Sequence, residues 1–360
     1  MIMTGNRHLA ILFAVTWAVV FVAGWAAIDR RAMIVDEVPS ARMFPDLGSQ
    51  FAAISEVRIS WAAGSAFKTA TLSRQAETWI VRERDGYPVD QNLLRRLLVS
   101  LDQLTVIEAK TRDPARFKRI DLRDLSIAGS RAGQVTVLGP TGEPVFDALI
   151  GKRRANPAGG PARVYLRKAA ENQSWLAEGD LDLRAGPADW LNREITNIAV
   201  DEIVEAALID GQGDRLTVVR DENLVTKFRF QEIADDVTLT SEFLPKNSAA
   251  VLEFNVFNDV RSATGLRFQP ALGSAIYKTK EGLQVTVDFA RDDQRRTAEG
   301  APVEWARFRF RSLEDASPAA KTQAENLTKR TDGWAYLLPA VRMERLRQTP
   351  ASVAMPAKSG

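Results

Sequence analysis

The sequence predicts an α+β protein: an N-terminal transmembrane helix, then an internal duplication with an antiparallel sheet and one long helix in each repeat. Three observations predict it. An apolar run without charge lies near the N-terminus, short segments alternate apolar and polar residues, and one leucine series has helical spacing. Because 45% of the 360 residues are apolar and 26% are charged, we expect a packed core rather than a disordered chain.

The apolar run extends from Leu9 to Ile28 without a charged residue. At about 1.5 Å per residue it spans about 30 Å, the thickness of the hydrocarbon core of a bilayer. A cleaved signal peptide, with Gly24 and Ala26 at the cleavage site, is the alternative, but the length favours a retained anchor. The flanking charges, Arg7 against Arg30 and its neighbours, do not decide the orientation.

Period-two alternation begins after the anchor. Val57, Ile59 and Trp61 are separated by polar residues, which is typical of a half-buried antiparallel strand. Asp85-Gly86 marks a tight turn. A helix follows, with Asp90 as a candidate N-cap. Its apolar residues are Leu93, Leu94, Leu97, Leu98, Leu101 and Leu104.

The second half of the chain resembles the first. Glu202–Asp210 corresponds to the strand that starts at Glu56, and Gln284–Val287 repeats Gln134–Val137 letter for letter. Pro245 opens a second predicted helix, as Pro88 precedes the first. The apolar candidates of this second helix are Val251, Leu252, Val256, Phe257 and Val260.

These patterns predict five regions, and the two long ones are the repeats. The regions are an N-terminal segment with the anchor (1–28), a stalk (29–50), a first α+β repeat (51–198), a second α+β repeat (199–348) and a flexible tail (349–360).

The composition excludes much of the common catalytic chemistry. The chain has no cysteine, and its one histidine, His8, adjoins the apolar run. Disulfides, thiolate nucleophiles, Ser-His-Asp triads and histidine-ligated metals are therefore excluded from the remainder of the chain. Lys and Arg total 48 and Asp and Glu total 46, so the net charge gives no reason to expect a nucleic-acid partner. We predict no catalytic residues, no cofactor and no metal.

Three short motifs resemble known sites but lack the required context. Gly211-Gln-Gly213 lies between two predicted strands, where a hairpin turn is expected rather than a dinucleotide site. Gly151-Lys152 lacks the glycine spacing of a phosphate loop. Ser65 and Lys68 have serine–lysine spacing, but they fall in a predicted loop and no partner motif exists in the chain.

Charged and aromatic clusters also favour structural interpretations. Asp235-Asp236 and Asp292-Asp293 are predicted to lie in solvated loops, with a weak cation site as the alternative. The basic stretch Lys110–Arg123 is predicted to be a solvated face, with contact to anionic headgroups or an acidic partner as the alternative. Core packing is predicted for six tryptophans, with a carbohydrate-binding surface as the alternative; they are Trp61, Trp79, Trp175, Trp190, Trp305 and Trp334.

The order of these elements resembles one known family. An anchor precedes the strand of Val57 and Ile59, then come Trp79-Ile80-Val81, Pro88, the leucine-rich helix and Arg163–Arg167. This order, over roughly residues 50 to 340, resembles the domain of unknown function 4340 family. The resemblance implies an inner-membrane protein whose large domain lies outside the cytoplasm. Some members are associated with ABC-type transporters of the gliding-motility kind, and no catalytic residues are established for the family.

We therefore expect a non-enzymatic accessory or scaffold module of an ABC-type transport system, held in the bilayer by residues 9–28 and bound to membrane protein partners. Two alternatives stay open. One is an extracytoplasmic module that binds a small ligand or glycan in a cleft between the repeats. The other is a carboxylate hydrolase that needs neither metal nor histidine. An exposed apolar patch would favour the scaffold, an apolar cleft the ligand-binding module, and facing acids the hydrolase.

Overall fold

The computed structural model describes residues 41–355 except 64, 65, 158, 185 and 235. The predicted transmembrane helix, Leu9–Ile28, lies outside the described residues, as does His8. In the described part of the chain, no helix is both long and apolar enough to cross a bilayer. The architecture is α+β, with many antiparallel strands and few helices.

The chain forms two compact units. The first runs to Ala76 and resumes from Gln91 to Gly186, and the second takes Glu77–Asp90 and the chain from Pro187 onward. The second unit therefore takes over at 186/187, whereas the sequence predicted the boundary between the repeats at 198/199. The segment Glu77–Asp90, which the sequence places in the first repeat, is part of the second unit.

Ten strands and one α-helix are described between residues 41 and 178. The strands are β1 (Ala41–Arg42), β2 (Glu56–Ala63), β3 (Ala66–Gln75), β4 (Thr78–Val81), β5 (Tyr87–Pro88), β6 (Thr105–Ala109), β7 (Gly133–Leu138), β8 (Pro144–Arg154), β9 (Arg163–Lys168) and β10 (Ser174–Glu178), and the helix is α1 (Gln91–Asp102). The first unit orders its strands β1-β6-β10-β9-β8-β7-β2-β3, all neighbours antiparallel.

A second series of strands and helices follows from residue 194 to residue 353. The strands are β11 (Glu194–Thr196), β12 (Ile203–Ile209), β13 (Arg215–Arg220), β14 (Phe228–Phe230), β15 (Asn255–Val256), β16 (Asp259–Ser262), β17 (Ser274–Thr279), β18 (Leu283–Arg296), β19 (Pro302–Ser312) and β20 (Trp334–Leu337). The helices are α2 (Leu244–Ala249), α3 (Pro318–Thr331), α4 (Ala340–Leu346) and α5 (Pro350–Val353).

The large sheet of the second unit has the order β14-β13-β12-β17-β18-β19-β20-β16, again antiparallel throughout. Seven of its strands follow the order of the first sheet. The corresponding strands are β13 and β3, β12 and β2, β17 and β7, β18 and β8, β19 and β9, β20 and β10, and β16 and β6. The helix α1 precedes β6 along the chain, and α2 precedes β16.

Alternating burial explains the strands, and the predicted leucine face explains α1. In β2, Val57 and Ile59 are buried while Arg58 between them is exposed. Leu97 and Leu101 of α1 are buried, as predicted. Apolar residues three and four positions apart form one helix face, and burial of that face holds the helix on the sheet.

Residues 41–50 do not form a bare stalk. Leu47 is buried, and β1 pairs with β6. The buried carboxylate of Asp102, at the end of α1, accepts hydrogen bonds from Gly48 N at 2.9 Å and from Arg42 Nη1 at 2.9 Å. The first unit therefore begins before residue 51, and the predicted stalk is wrong for residues 41–50, while residues 29–40 lie outside the described residues.

The predicted helix after Pro245 is much shorter than expected. The helix α2 ends at Ala249, and a 3-10 turn over Ala250–Leu252 leads to Phe254, whose φ of 44° is left-handed. A left-handed residue cannot continue a right-handed helix. The long helix of the second unit is instead α3, which Ser317 caps by accepting a hydrogen bond from Ala320 N at 3.1 Å.

Part of the predicted tail is also folded into the second unit. The turn α5 is capped by Thr349, and Val353 is buried. The Val353 carbonyl accepts a hydrogen bond from Thr240 N at 2.9 Å. The chain is therefore held as far as Met355, and residues 356–360 lie outside the described residues.

The segment Glu77–Asp90 completes an aromatic cluster of the second unit. Tyr87 is 4% exposed, and its ring lies 4.9 Å from that of Trp334 and 5.6 Å from that of Phe257. The segment is also fixed by an ion pair between Arg84 and Asp259. Edge-to-face contacts of this kind add to the burial of each ring.

Leu101→Ala should lower the free energy of unfolding by about 2–5 kcal/mol, because it leaves a cavity in a fully buried position. The measurement is urea denaturation of the full chain followed by circular dichroism. Val99→Ala, at a position on the same helix that is 38% exposed, is the matched control and should change stability by less than about 0.5 kcal/mol. Equal effects of the two substitutions would contradict the assigned core face.

Candidate partner-binding edge

The described residues hold no group of three or more acidic, histidine or cysteine side chains arranged to bind a metal ion. Gly211 and Gly213 lie in the turn that joins β12 to β13, where Asp210 N bonds Asp214 O at 2.9 Å, so the predicted hairpin is confirmed. Gly151 lies inside β8 rather than in a phosphate loop, and a Cβ there would stand 2.2 Å from Ile120 O. Lys68 lies on β3, whereas Ser65 is outside the described residues.

One of the two acidic pairs differs from the prediction of a solvated loop. Asp292 and Asp293 lie in β18, not in a solvated loop. Asp292 is 6% exposed, and its carboxylate is 2.5 Å from Arg261 Nη1, whereas Asp293 is exposed. A guanidinium therefore already compensates the buried carboxylate. Of the other pair, Asp236 is exposed and Asp235 lies outside the described residues.

The basic stretch and the tryptophans largely follow their structural interpretations. Residues 114–120 form a 3-10 helix that buries Phe117 and exposes Lys118 and Arg119. The buried Arg167 stacks on Phe117, with its guanidinium carbon 5.0 Å from the ring centre. Each of the six tryptophans is buried or half-buried.

An apolar hairpin tip stands out among the exposed residues. The tip joins β13 to β14, and it carries Leu224, which is exposed, and Val225, which is 99% exposed. Water-exposed valine and leucine side chains gain nothing from the hydrophobic effect. The stability of the fold therefore does not explain why these two apolar residues lie at an exposed turn.

Hydrogen bonds hold this tip in a defined shape. Asp221 N donates to Lys227 O at 2.9 Å, Leu224 N to Asp221 O at 3.2 Å, and Lys227 N to Leu224 O at 3.0 Å. The Asp221 carboxylate also accepts from Asn223 N at 3.0 Å, which is a usual role of aspartate in turns. The apolar pair is thus presented by a closed turn.

Paired charges form the base of the hairpin. Arg220 hydrogen-bonds Glu222, which lowers the pKa of the Glu222 carboxyl and raises the pKa of the Arg220 guanidinium. On the next strand, Arg229 Nε lies 3.4 Å from the Asp221 carboxylate. Because these charges compensate one another, the surface beside the apolar tip is close to neutral.

Strand β14 is a terminal strand of its sheet. The residues on either side of β14, Lys227 and Gln231, direct their backbone groups toward β13. Lys227 O accepts a hydrogen bond from Asp221 N, and Gln231 N donates one to Thr217 O. Backbone direction alternates along an antiparallel strand. The N–H and C=O groups of Phe228 and Phe230 therefore point to the open side. There the Phe228 carbonyl accepts a hydrogen bond from Thr226 Oγ1 at 3.3 Å, and the other three groups could pair with another strand.

A groove of about 340 Å³ runs beside this edge. Its wall is fixed by the C-terminal segment, because Leu239 forms a β-bridge with Ala354 and Met355 N donates to Thr238 O at 2.8 Å. We call this surface the β14 edge, meaning the hairpin tip, strand β14 and the groove. Its apolar lining includes Leu224, Val225, Phe228, Phe230, Val237 and Leu239.

Sequence reasoning missed the β14 edge, although a signal was present. The turn reads Asp-Glu-Asn-Leu-Val-Thr-Lys, from Asp221 to Lys227. Turns favour polar residues and glycine, so an adjacent leucine and valine inside one is unusual. A search for alternating apolar and polar residues does not detect such a pair, because it identifies strands and not the turns between them.

Comparison with known proteins gives one result. A family model described as "Domain of unknown function (DUF4340)" matches residues 79–267, more than half of the chain. The match lies within the region over which the order of elements resembles that family. No curated protein and no solved structure matches the chain.

Proposed function

Because the chain belongs to the domain of unknown function (DUF4340) family, we propose its role from its surface: it is a membrane-anchored, non-enzymatic module that binds membrane protein partners at the β14 edge. The observation that carries the proposal is Val225, held 99% exposed at the end of a hydrogen-bonded turn. Exposed apolar surface beside an open strand edge is typical of an interaction site.

The chemistry of the edge favours an extended apolar segment as the bound part of the partner. Strand addition would pair the Phe228 N–H and the backbone groups of Phe230, and the groove would receive alternate side chains. Burial of Leu224 and Val225 would contribute about 25 cal/mol for each Å² of apolar surface removed from water. The compensated charges of Arg220 and Arg229 give no preference for a strongly charged partner.

Membrane attachment supports the same proposal. The predicted helix Leu9–Ile28 would confine the edge to the membrane surface, and the family resemblance implies the side outside the cytoplasm. Confinement raises the effective concentration of other membrane proteins, so that even a weak interface is occupied. Subunits of an ABC-type transport system are the partner class that the family resemblance implies.

We also propose that the two halves arose by duplication. The support is the shared order of seven strands, together with the place of α1 before β6 and of α2 before β16. Gln134–Val137 lies on β7, and the identical letters Gln284–Val287 lie on β18. In the shared strand order β7 corresponds to β17, so the two identical segments do not occupy equivalent positions.

Sequence profiles built separately for residues 52–185 and 200–345 should match along the seven corresponding strand pairs. A match in a different strand order would refute the duplication.

Replacement of Val225 tests the partner proposal, because the natural chain has no cysteine. In Val225→Cys, a thiol-directed photocrosslinker should capture an integral membrane protein in intact membranes. Mass spectrometry of the adduct identifies it. The substitution leaves the fold unchanged because the side chain makes no buried contact.

Val99→Cys is the matched control, since Val99 is also exposed but lies on α1 in the first unit. It should give no membrane-protein adduct. A membrane-impermeant maleimide should label both variants from outside the cytoplasm. Equal adducts from both positions, or labelling only after lysis, would contradict the proposal. Saturable binding of a soluble sugar or other small ligand at the edge would favour the alternative, a ligand- or glycan-binding module.

A further inference from the structure

The second unit holds an open pocket of about 590 Å³ far along the sheet from the β14 edge. Three arginines line it, Arg261 on β16, Arg267 in the following loop and Arg291 on β18, with Asp292 and Asp293 as the acidic lining. The pocket has no part in the proposed partner binding, so its charged lining needs a separate explanation.

The charges around the pocket do not balance. Asp292 pairs with Arg261 at 2.5 Å and lies 3.9 Å from Arg295. Glu304 pairs with Arg291 at 3.1 Å and with Arg347 at 2.6 Å.

Two further residues that line the pocket enter the count of charges. Arg267 is exposed and has no acidic partner among the described residues, and Asp293 is the third carboxylate. The lining itself thus has three guanidinium groups and two carboxylates, and the adjoining Arg295, Arg347 and Glu304 bring the totals to five and three, an excess of two. The surplus positive charge would be compensated by a dianion.

The surroundings also hold more hydrogen-bond donors than acceptors. Trp305 is 1% exposed, and its Nε1–H has no partner within the described structure. The same holds for the buried Nε–H groups of Arg261 and Arg347. Arginine and tryptophan donate and never accept. A buried donor without a partner costs free energy. Of these three residues Arg261 lines the pocket, so its Nε–H favours a ligand that consists of acceptors.

Aromatic rings fix the guanidinium groups in place. The guanidinium carbon of Arg261 lies 5.9 Å from the Trp305 ring centre, and that of Arg347 lies 4.6 Å from the Phe289 ring centre. Stacking of this kind holds the planar group in one orientation. The guanidinium group of Arg261, which lines the pocket, is therefore oriented before any ligand binds, which reduces the entropy lost on binding.

We propose that this arginine pocket binds a phosphate monoester dianion. A phosphate monoester offers three acceptor oxygens and carries nearly two negative charges at neutral pH. Arginine pairs with phosphate through two parallel hydrogen bonds. The same chemistry occurs in free phosphate and in the headgroup of phosphatidic acid, and the experiment separates these sources.

Calorimetric titration of the detergent-solubilised full chain tests the site, with inorganic phosphate and with dihexanoyl phosphatidic acid as probes. Arg267→Gln should weaken binding at least about tenfold, since it removes charge-assisted hydrogen bonds. Arg267 has no ion pair to lose, so the fold should persist. Asp293→Asn, which removes a repelling charge at the pocket, should tighten binding about two- to fivefold.

Arg311→Gln is the matched control, because Arg311 is exposed at the end of β19 that pairs with the start of β18, away from Arg291, and it bonds Gln284. It should leave the affinity unchanged. Tighter binding of dihexanoyl phosphatidic acid than of phosphate identifies a lipid headgroup, and equal affinity identifies a free phosphate group. Absence of saturable binding, or equal losses in Arg267→Gln and Arg311→Gln, would overturn the proposal.

Discussion

The fold of the second unit depends on the insertion of Tyr87 among Phe257, Trp334 and Tyr336. Burial raises the pKa of Tyr87 and of Tyr336, so both side chains pack in their neutral form. Because Tyr87 lies on a segment between β3 and α1, the chain leaves the first unit, completes the second and returns. Each unit therefore consists of chain from two separate stretches, and an early cut in the chain would affect both.

This arrangement makes the free β14 edge more informative. The chain encloses the aromatic cluster with a distant segment, and it fixes the groove wall with Val353 and Met355. Other large apolar side chains of the described residues are exposed as well, Phe67 and Phe254 among them, but Val225 is the most exposed of them, and a closed turn presents it together with Leu224. Because buried apolar surface stabilises and exposed apolar surface does not, a bound partner is the simplest physical reason for keeping them there. The arginine pocket is independent of this edge, since it has its own charge excess and its own donors.

Local patterns in the sequence predicted the local structure well. Alternation at Val57 and Ile59 and the leucine spacing through Leu101 predicted β2 and α1, because these patterns reflect which face is buried. The helix after Pro245 was predicted too long, since apolar spacing does not reveal the left-handed Phe254. Nothing local could place Tyr87 in the second unit, because that contact joins residues far apart in the chain. The β14 edge and the arginine pocket also depend on tertiary neighbours, as Arg261, Arg267 and Arg291 come together only in the folded sheet.

Fragment complementation measures the central claim most directly. Residues 187–360 are produced without Glu77–Asp90, and a peptide of residues 77–90 is added while unfolding is followed by tryptophan fluorescence. The account predicts that the fragment alone unfolds without a cooperative transition, that the peptide restores one in a saturable manner, and that a Tyr87→Ala peptide does not. The loss of a buried aromatic ring costs about 3–5 kcal/mol, enough to remove most of the effect. A fragment that unfolds cooperatively without the peptide would contradict the account.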